Sequence, residues 1–183
     1  SAAEVGGYGN TLTAFLSNGF TIGSNALFNT SGNNYISWLW KESTTSKVDV
    51  VTYTGTGAAQ TIAHSLGVAP DFIIVKRRNA AGDPAVYHSS NTSAPATDYL
   101  LLDSTAATAD DDTYWNDTAP TASVFSVKSN ANTNASGATY VAYLFASTTG
   151  FSSFGTYTGN AAADGPFVYT GFKPKYIMIK SST

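Results

Sequence analysis

Cysteine is absent from the 183 residues. That excludes a disulfide framework, a thiolate zinc site and a cysteine nucleophile. Charge is scarce as well: Asp, Glu, Lys and Arg make up 11% of the chain, against roughly 25% in an average soluble domain. Glutamate occurs only at Glu4 and Glu42. Lys, Glu, Arg and Gln are good helix formers that keep helical surfaces wet, so their scarcity argues against helices. With a net charge of −3 and a pI near 5.1 there is no broad basic field, and no nucleic-acid partner is expected. No apolar run approaches the ~20 residues of a membrane-spanning helix, and no membrane insertion is expected. The first residue is Ser1, not Met, and no signal peptide is visible. The expectation is a processed product or a segment of something longer.

What is present points to strands. Apolar residues make up 43% and aromatics 13%, with 11 Tyr and 10 Phe, types that suit a pleated, half-buried surface. Runs bounded by Gly, Asn, Asp and Pro recur along the chain. They are 35–40, 48–54, 72–76, 99–102, 123–127, 139–145, 167–169 and 176–180. The continuously apolar Phe72-Ile73-Ile74-Val75 predicts a central strand buried on both faces. Ser104 to Asp112 lacks an apolar stripe and reads as a loop. Gly55-Thr56-Gly57 and Asp164-Gly165 read as hairpin turns. The expected class is all-β, an antiparallel, jelly-roll-like sandwich.

The strongest pattern is an internal repeat. Phe20-Thr21-Ile22 and Ser31 to Trp40 match Phe125-Ser126-Val127 and Ser136 to Phe145, at an offset of 140 − 35 = 105. Thr52-Tyr53-Thr54-Gly55 matches Thr156-Tyr157-Thr158-Gly159, and Gly67 to Lys76 matches Gly171 to Lys180, at an offset of 157 − 53 = 104. The expected unit is therefore about 105 residues, present about 1.75 times. Residues 1–47 hold the C-terminal half of one unit, 48–150 a complete unit and 151–183 the N-terminal part of a further one. Half-units leave strands short of neighbours. They are expected to pair with each other, within one chain or between chains. The assembly residues expected from this are Tyr35, Ile36, Trp38 and Trp40 in the first half-unit, and Tyr176, Ile177 and Ile179 in the last.

Chemistry-bearing constellations are few. His64 and His88 each lie near a strand without a second His or carboxylate at useful spacing, and read as ordinary strand residues. No G-x-S-x-G elbow occurs, and no pair of Asp stands out for glycoside hydrolysis. Asp110, Asp111 and Asp112, followed by Asn116 and Asp117, form a cluster that could hold Ca²⁺. It lacks the Gly and distal Glu of an EF-hand loop, so a solvated loop is the plainer reading. Lys76-Arg77-Arg78 reads as the wet end of a buried strand. Tyr114, Trp115 and Asn116 combine aromatics with an amide, as sugar-binding sites do; the plainer reading is an aromatic pair sealing the end of the sandwich. No catalytic residue, no cofactor and no enzyme activity is expected.

Several strings carry a resemblance. They are Ala63 to Arg78, Tyr114 to Pro120, Tyr140 to Ala146, Tyr157 to Asn160 and Asp164 to Phe172. Together they resemble a repeat module of tailed-phage virion proteins, of the kind found in marine and cyanobacterial phages. The resemblance implies a virion location, a structural or host-attachment role in a tail fibre or surface appendage, homo-oligomerisation and contact with other virion proteins. It implies no catalytic residues. Two further readings stand beside it: a carbohydrate-binding module for host surface glycans, and a subunit of a self-assembling extracellular filament.

Overall fold

The computed structural model describes residues 10–183. They fall into two compact units, 10–40 and 41–183.

The larger unit is an all-β antiparallel sandwich. Its main sheet is built from β3 (Val48–Thr54), β5 (Phe72–Arg77), β6 (Ala85–His88), β7 (Asp98–Leu101), β8 (Ala109–Asp110) and β10 (Thr139–Phe145), in the order β3-β10-β5-β6-β7-β8. A second sheet pairs β4 (Gln60–Ala63) with β9 (Val124–Val127). Two single-turn helices, α1 (Asp112–Trp115) and α2 (Ala131–Asn134), are the helices among the described residues.

Strand β10 organises the sheet. It pairs along its whole length with β3 on one side and with β5 on the other. Side chains alternate across a strand, and β10 uses both faces. Tyr140, Ala142 and Leu144 are fully buried toward the small sheet. They pack there with Ile73 and Val75 of β5 and with Phe125 and Val127 of β9. Burying one such large apolar side chain contributes about 1.5–3 kcal/mol. On the opposite face Phe72, Val86 and Leu100 form a second cluster, closed by Phe145 and Phe154. The Phe72 and Phe154 rings stack at 5.6 Å. Strand β5 is thus buried on both faces, as its apolar run predicts.

The link from β3 to β4 carries the chain from one sheet to the other, so Gly55-Thr56-Gly57 is a crossing and not a hairpin turn. Gly55 is needed there. A Cβ on it would lie 2.2 Å from the Ala135 carbonyl oxygen, because the backbone docks on the α2–β10 turn (Gly55 N to Ala138 O 2.8 Å, Gly137 N to Gly55 O 2.9 Å).

Residues 10–40 form their own unit. β1 (Leu12–Leu16) and β2 (Gly19–Ile22) make a hairpin, with the Thr13 and Thr21 hydroxyls 2.7 Å apart. A turn follows, in which Asn25 Oδ1 accepts from Leu27 N (2.9 Å). The Tyr35 hydroxyl clamps it, accepting from Thr30 N at 2.9 Å and donating to Ala26 O at 3.3 Å.

The sequence predicts strands at 35–40, 167–169 and 176–180, yet none of these residues is in a strand. Their composition is right, but a strand exists only where a second backbone completes its ladder.

Candidate functional site

The acidic run does not converge. Asp110 lies in β8 opposite Asp98. Asp111 caps α1: its backbone is extended, and its carboxylate accepts from Thr113 N (2.9 Å) and Thr113 Oγ1 (2.6 Å). Asp112 pairs with Lys128. Among the described residues no three His, Asp or Glu side chains gather as a metal ion would require. The stretch Ser104 to Asp112 is also not wholly a loop, since it contains β8 and enters α1. The cue for α1 was Asp111 itself, an N-cap residue placed before two residues that bury.

Tyr114 and Trp115 turn inward. Trp115 is 2% exposed and Tyr114 is buried beside it. Tyr114 stacks on Tyr99 at 3.8 Å, and Trp115 meets Tyr87 edge-on at 6.0 Å. Burial pushes the Tyr114 phenol up to about 12 against the opposing bond from Asn132. Asn116, in the left-handed region at φ 57°, closes the helix by donating its backbone N–H to Asp112 O. These residues seal the sandwich and offer no aromatic platform to a sugar ring.

The polar side chains that organise the unit are others. Asn134 is fully buried. Its side-chain carbonyl accepts from Thr56 N (2.9 Å) and Gln60 Nε2 (2.6 Å). Its amide donates to Ala58 O (2.7 Å) and to Lys128 O. Beside it the Tyr53 hydroxyl donates to Thr133 O (2.6 Å), and the Tyr53 ring stacks on Tyr140 at 5.1 Å. This cluster joins β3 and the start of β4 to the α2–β10 turn. Composition gave no hint of it; the available signal was that Asn29 stands 134 − 29 = 105 residues before Asn134, at the offset expected from the sequence.

Asp49, 3% exposed, accepts from Ser65 N (2.5 Å) and Ser65 Oγ (2.9 Å). Burial raises its pKa, but the Ser65 bonds outweigh that and hold the carboxyl below its ordinary range. His64 Nε2 lies 3.2 Å from Thr121 O, and its Nδ1 accepts from Leu66 N (3.4 Å). Ser65, His64 and Asp49 are neighbours but not a triad, because the serine donates to the carboxylate and both imidazole nitrogens face backbone groups. Burial lowers the pKa of His64 and of His88.

The residues expected to carry assembly lie on the surface. Ile36 is 84% exposed, Ile177 67% and Ile179 66%, and Tyr35, Trp38, Trp40 and Tyr176 are exposed as well. Phe167, Val168, Tyr169 and Met178 join them in the C-terminal segment. Exposed large apolar side chains are therefore concentrated at 35–40 and 167–179, and also along the β1–β2 hairpin and the turn after it, from Leu12 to Phe28. Isolated exposed apolar residues need no explanation, whereas concentrated ones mark interaction surfaces.

The chain belongs to the family described as a domain of unknown function (DUF7483). The match runs over residues 1–183, so both the sandwich and the two apolar segments are family sequence. Comparison with the curated proteins and with the solved structures found no match.

Proposed function

We propose that the chain is a structural protein of a phage virion, part of a tail fibre or surface appendage, and that it assembles through β-strand contacts with copies of itself and with other virion proteins. The observation that carries this reading is the exposure of strand-like apolar sequence at 35–40 and 167–179. Sequence with the composition of a sheet interior, left on the surface, suits a protein whose sheets are completed by association. The low charge and the abundance of Ser, Thr and Asn fit an external, protease-resistant surface. The resemblance to virion repeat modules supplies the location. The glycan-binding reading loses its aromatic residues, since Tyr114 and Trp115 are core residues.

The test is antibody labelling and mass spectrometry of purified particles from a tailed phage that encodes this chain. Label on a fibre or appendage, with the chain found in the particle, is the expected result. Its absence from purified particles, with the protein abundant in the lysate, overturns the reading.

A further inference from the structure

Residues 19–40 and 124–145 share more than sequence. At the offset of 105, β2 (Gly19–Ile22) falls on β9 (Val124–Val127), with both bounds coinciding. The hydrogen bonds coincide too. Leu27 N donates to Asn25 Oδ1 as Asn132 N donates to Asn130 Oδ1, each at 2.9 Å. Thr30 N donates to the Tyr35 hydroxyl (2.9 Å) as Ala135 N does to that of Tyr140 (2.8 Å). Each hydroxyl then donates back, Tyr35 to Ala26 O and Tyr140 to Ala131 O. The Asn29 amide donates to Gly23 O as the Asn134 amide donates to Lys128 O. Residues 19–35 thus repeat β9 and the hydrogen bonds of the α2 turn, and 35–40 carry the sequence that forms β10 at 140–145.

In the larger unit β9, α2 and β10 are completed by β3, β4 and β5. Their sequence recurs, at the offset of 104, in residues 152–183. Tyr157 stands for Tyr53, Gly159 for Gly55, and Ile177 and Ile179 for Ile73 and Val75. Gly159 is informative. Gly55 must be glycine because the α2–β10 turn crowds it, while a Cβ on Gly159 would meet nothing within 4 Å. A glycine is kept where a docked turn would require one.

We infer that residues 19–40 of one chain dock on residues 152–183 of a second copy and complete a sandwich, with Tyr35–Trp40 as the central strand of the joined sheet. Ile36 and Leu39 on the one unit, and Phe167 and Ile177 on the other, are exposed, and the complement is assigned to a second copy. The β10 pairings set the register. Tyr35 lies opposite Tyr157, as Tyr140 lies opposite Tyr53. Trp38 lies opposite Met178, as Tyr143 lies opposite Ile74. Leu39 faces inward beside Ile177, as Leu144 does beside Ile73. The Asn29 side-chain carbonyl receives the Asn160 backbone N–H, as that of Asn134 receives Thr56 N–H. The two surfaces differ, so the contact is heterologous and propagates head to tail, as a filament or a closed ring. It is strand complementation, in which ladder bonds supply affinity and alternate side chains supply register.

The inference rests on the assembly part of the proposed function and not on the virion location. Its test uses the purified full chain, which has no cysteine of its own. One preparation carries Trp38→Cys and another Met178→Cys; they are mixed and oxidised. A disulfide-linked dimer is expected, and it should not form when Ile177→Cys, which faces the other side, replaces Met178→Cys. Light scattering of the unmodified chain should show oligomers. Leu39→Asp should abolish them while leaving the thermal midpoint of the 41–183 sandwich unchanged. A monomeric unmodified chain, equal cross-linking of both pairs, or a Trp38→Cys/Met178→Cys double variant that links only within one chain would each overturn the inference. Particle labelling is unaffected by any of these results, so the two readings fail separately.

Discussion

Tyr35 and Tyr140 make the same two hydrogen bonds in turns of the same form, yet they end in different surroundings. Tyr140 is fully buried, stacked on Tyr53, at the head of a seven-residue strand. Tyr35 is exposed at the head of six residues that form no strand. Their phenols are displaced in opposite directions. The bond from Thr30 lowers the Tyr35 pKa, whereas burial raises that of Tyr140 despite the bond from Ala135. The difference teaches where each level of structure comes from. Nearby residues dictate the turn, so it forms in both places. The strand depends on backbones far away in sequence, so it forms only where β3 and β5 are present.

Breaking the comparison at the tyrosines should give the largest effect. Tyr140→Ala removes a buried, stacked ring and is expected to destabilise the 41–183 unit by about 3–5 kcal/mol. Tyr35→Ala should leave the stability of that unit unchanged. Urea unfolding curves of the two variants measure both, and equal losses would show that the exposed tyrosine is not the isolated member of the pair. The next largest contrast lies at the asparagines. Asn134→Ala strips partners from the Thr56 N–H and the Gln60 amide and should cost about 1–3 kcal/mol, while Asn29→Ala should shift the same curve by less than about 0.5 kcal/mol.

Acid sharpens the comparison in another way, because no Asp, Glu, His, Lys or Arg lies between residues 5 and 40. His64 and His88 have folded-state pKa values below their ordinary one, so they bind fewer protons when folded. Their contribution is complete above about pH 6.5 and declines as the pH falls from there. Asp49, also lowered, adds a second loss in the carboxylate range. Glu42, raised by desolvation and by the Asp49 charge, works in the opposite direction and blunts that second loss. Thermal melts from pH 8 to pH 4 should show the midpoint of the 41–183 unit falling with acidification, and a flat or rising midpoint contradicts this. The smallest effect is expected at the surface. Lys128→Ala removes the exposed pair with Asp112 and should lower the thermal midpoint only slightly, a loss that salt reduces further.

The sequence was most legible where pattern and partner coincide. Runs 48–54 and 139–145 are strands with those bounds, and the apolar run from Phe72 is the doubly buried strand it promised. It was less legible where strands are short. Gln60–Ala63 and Ala85–His88 give four residues each, too few for alternation to stand out. It misled at 167–169 and 176–180, where side-chain preference is correct but no second backbone completes the ladder among the described residues. The acidic and aromatic candidates beside α1 were ambiguous for a different reason. A capping Asp and a sealing Trp have the same composition as a ligand site, and only the direction of the side chains separates the two.

Strand β10 is the last strand of the sandwich to be synthesised, and it lies inside its main sheet, between the edge strand β3 and β5. On the ribosome, β3 and β5 are therefore made with a vacant lane between them. No partial sheet that includes both can form until Phe145 has emerged from the exit tunnel, about 90 residues after β3. The long loop closures this implies place the sandwich among slow-folding topologies. The order of synthesis thus makes an interior lane, between β3 and β5, the place that waits longest for its final occupant.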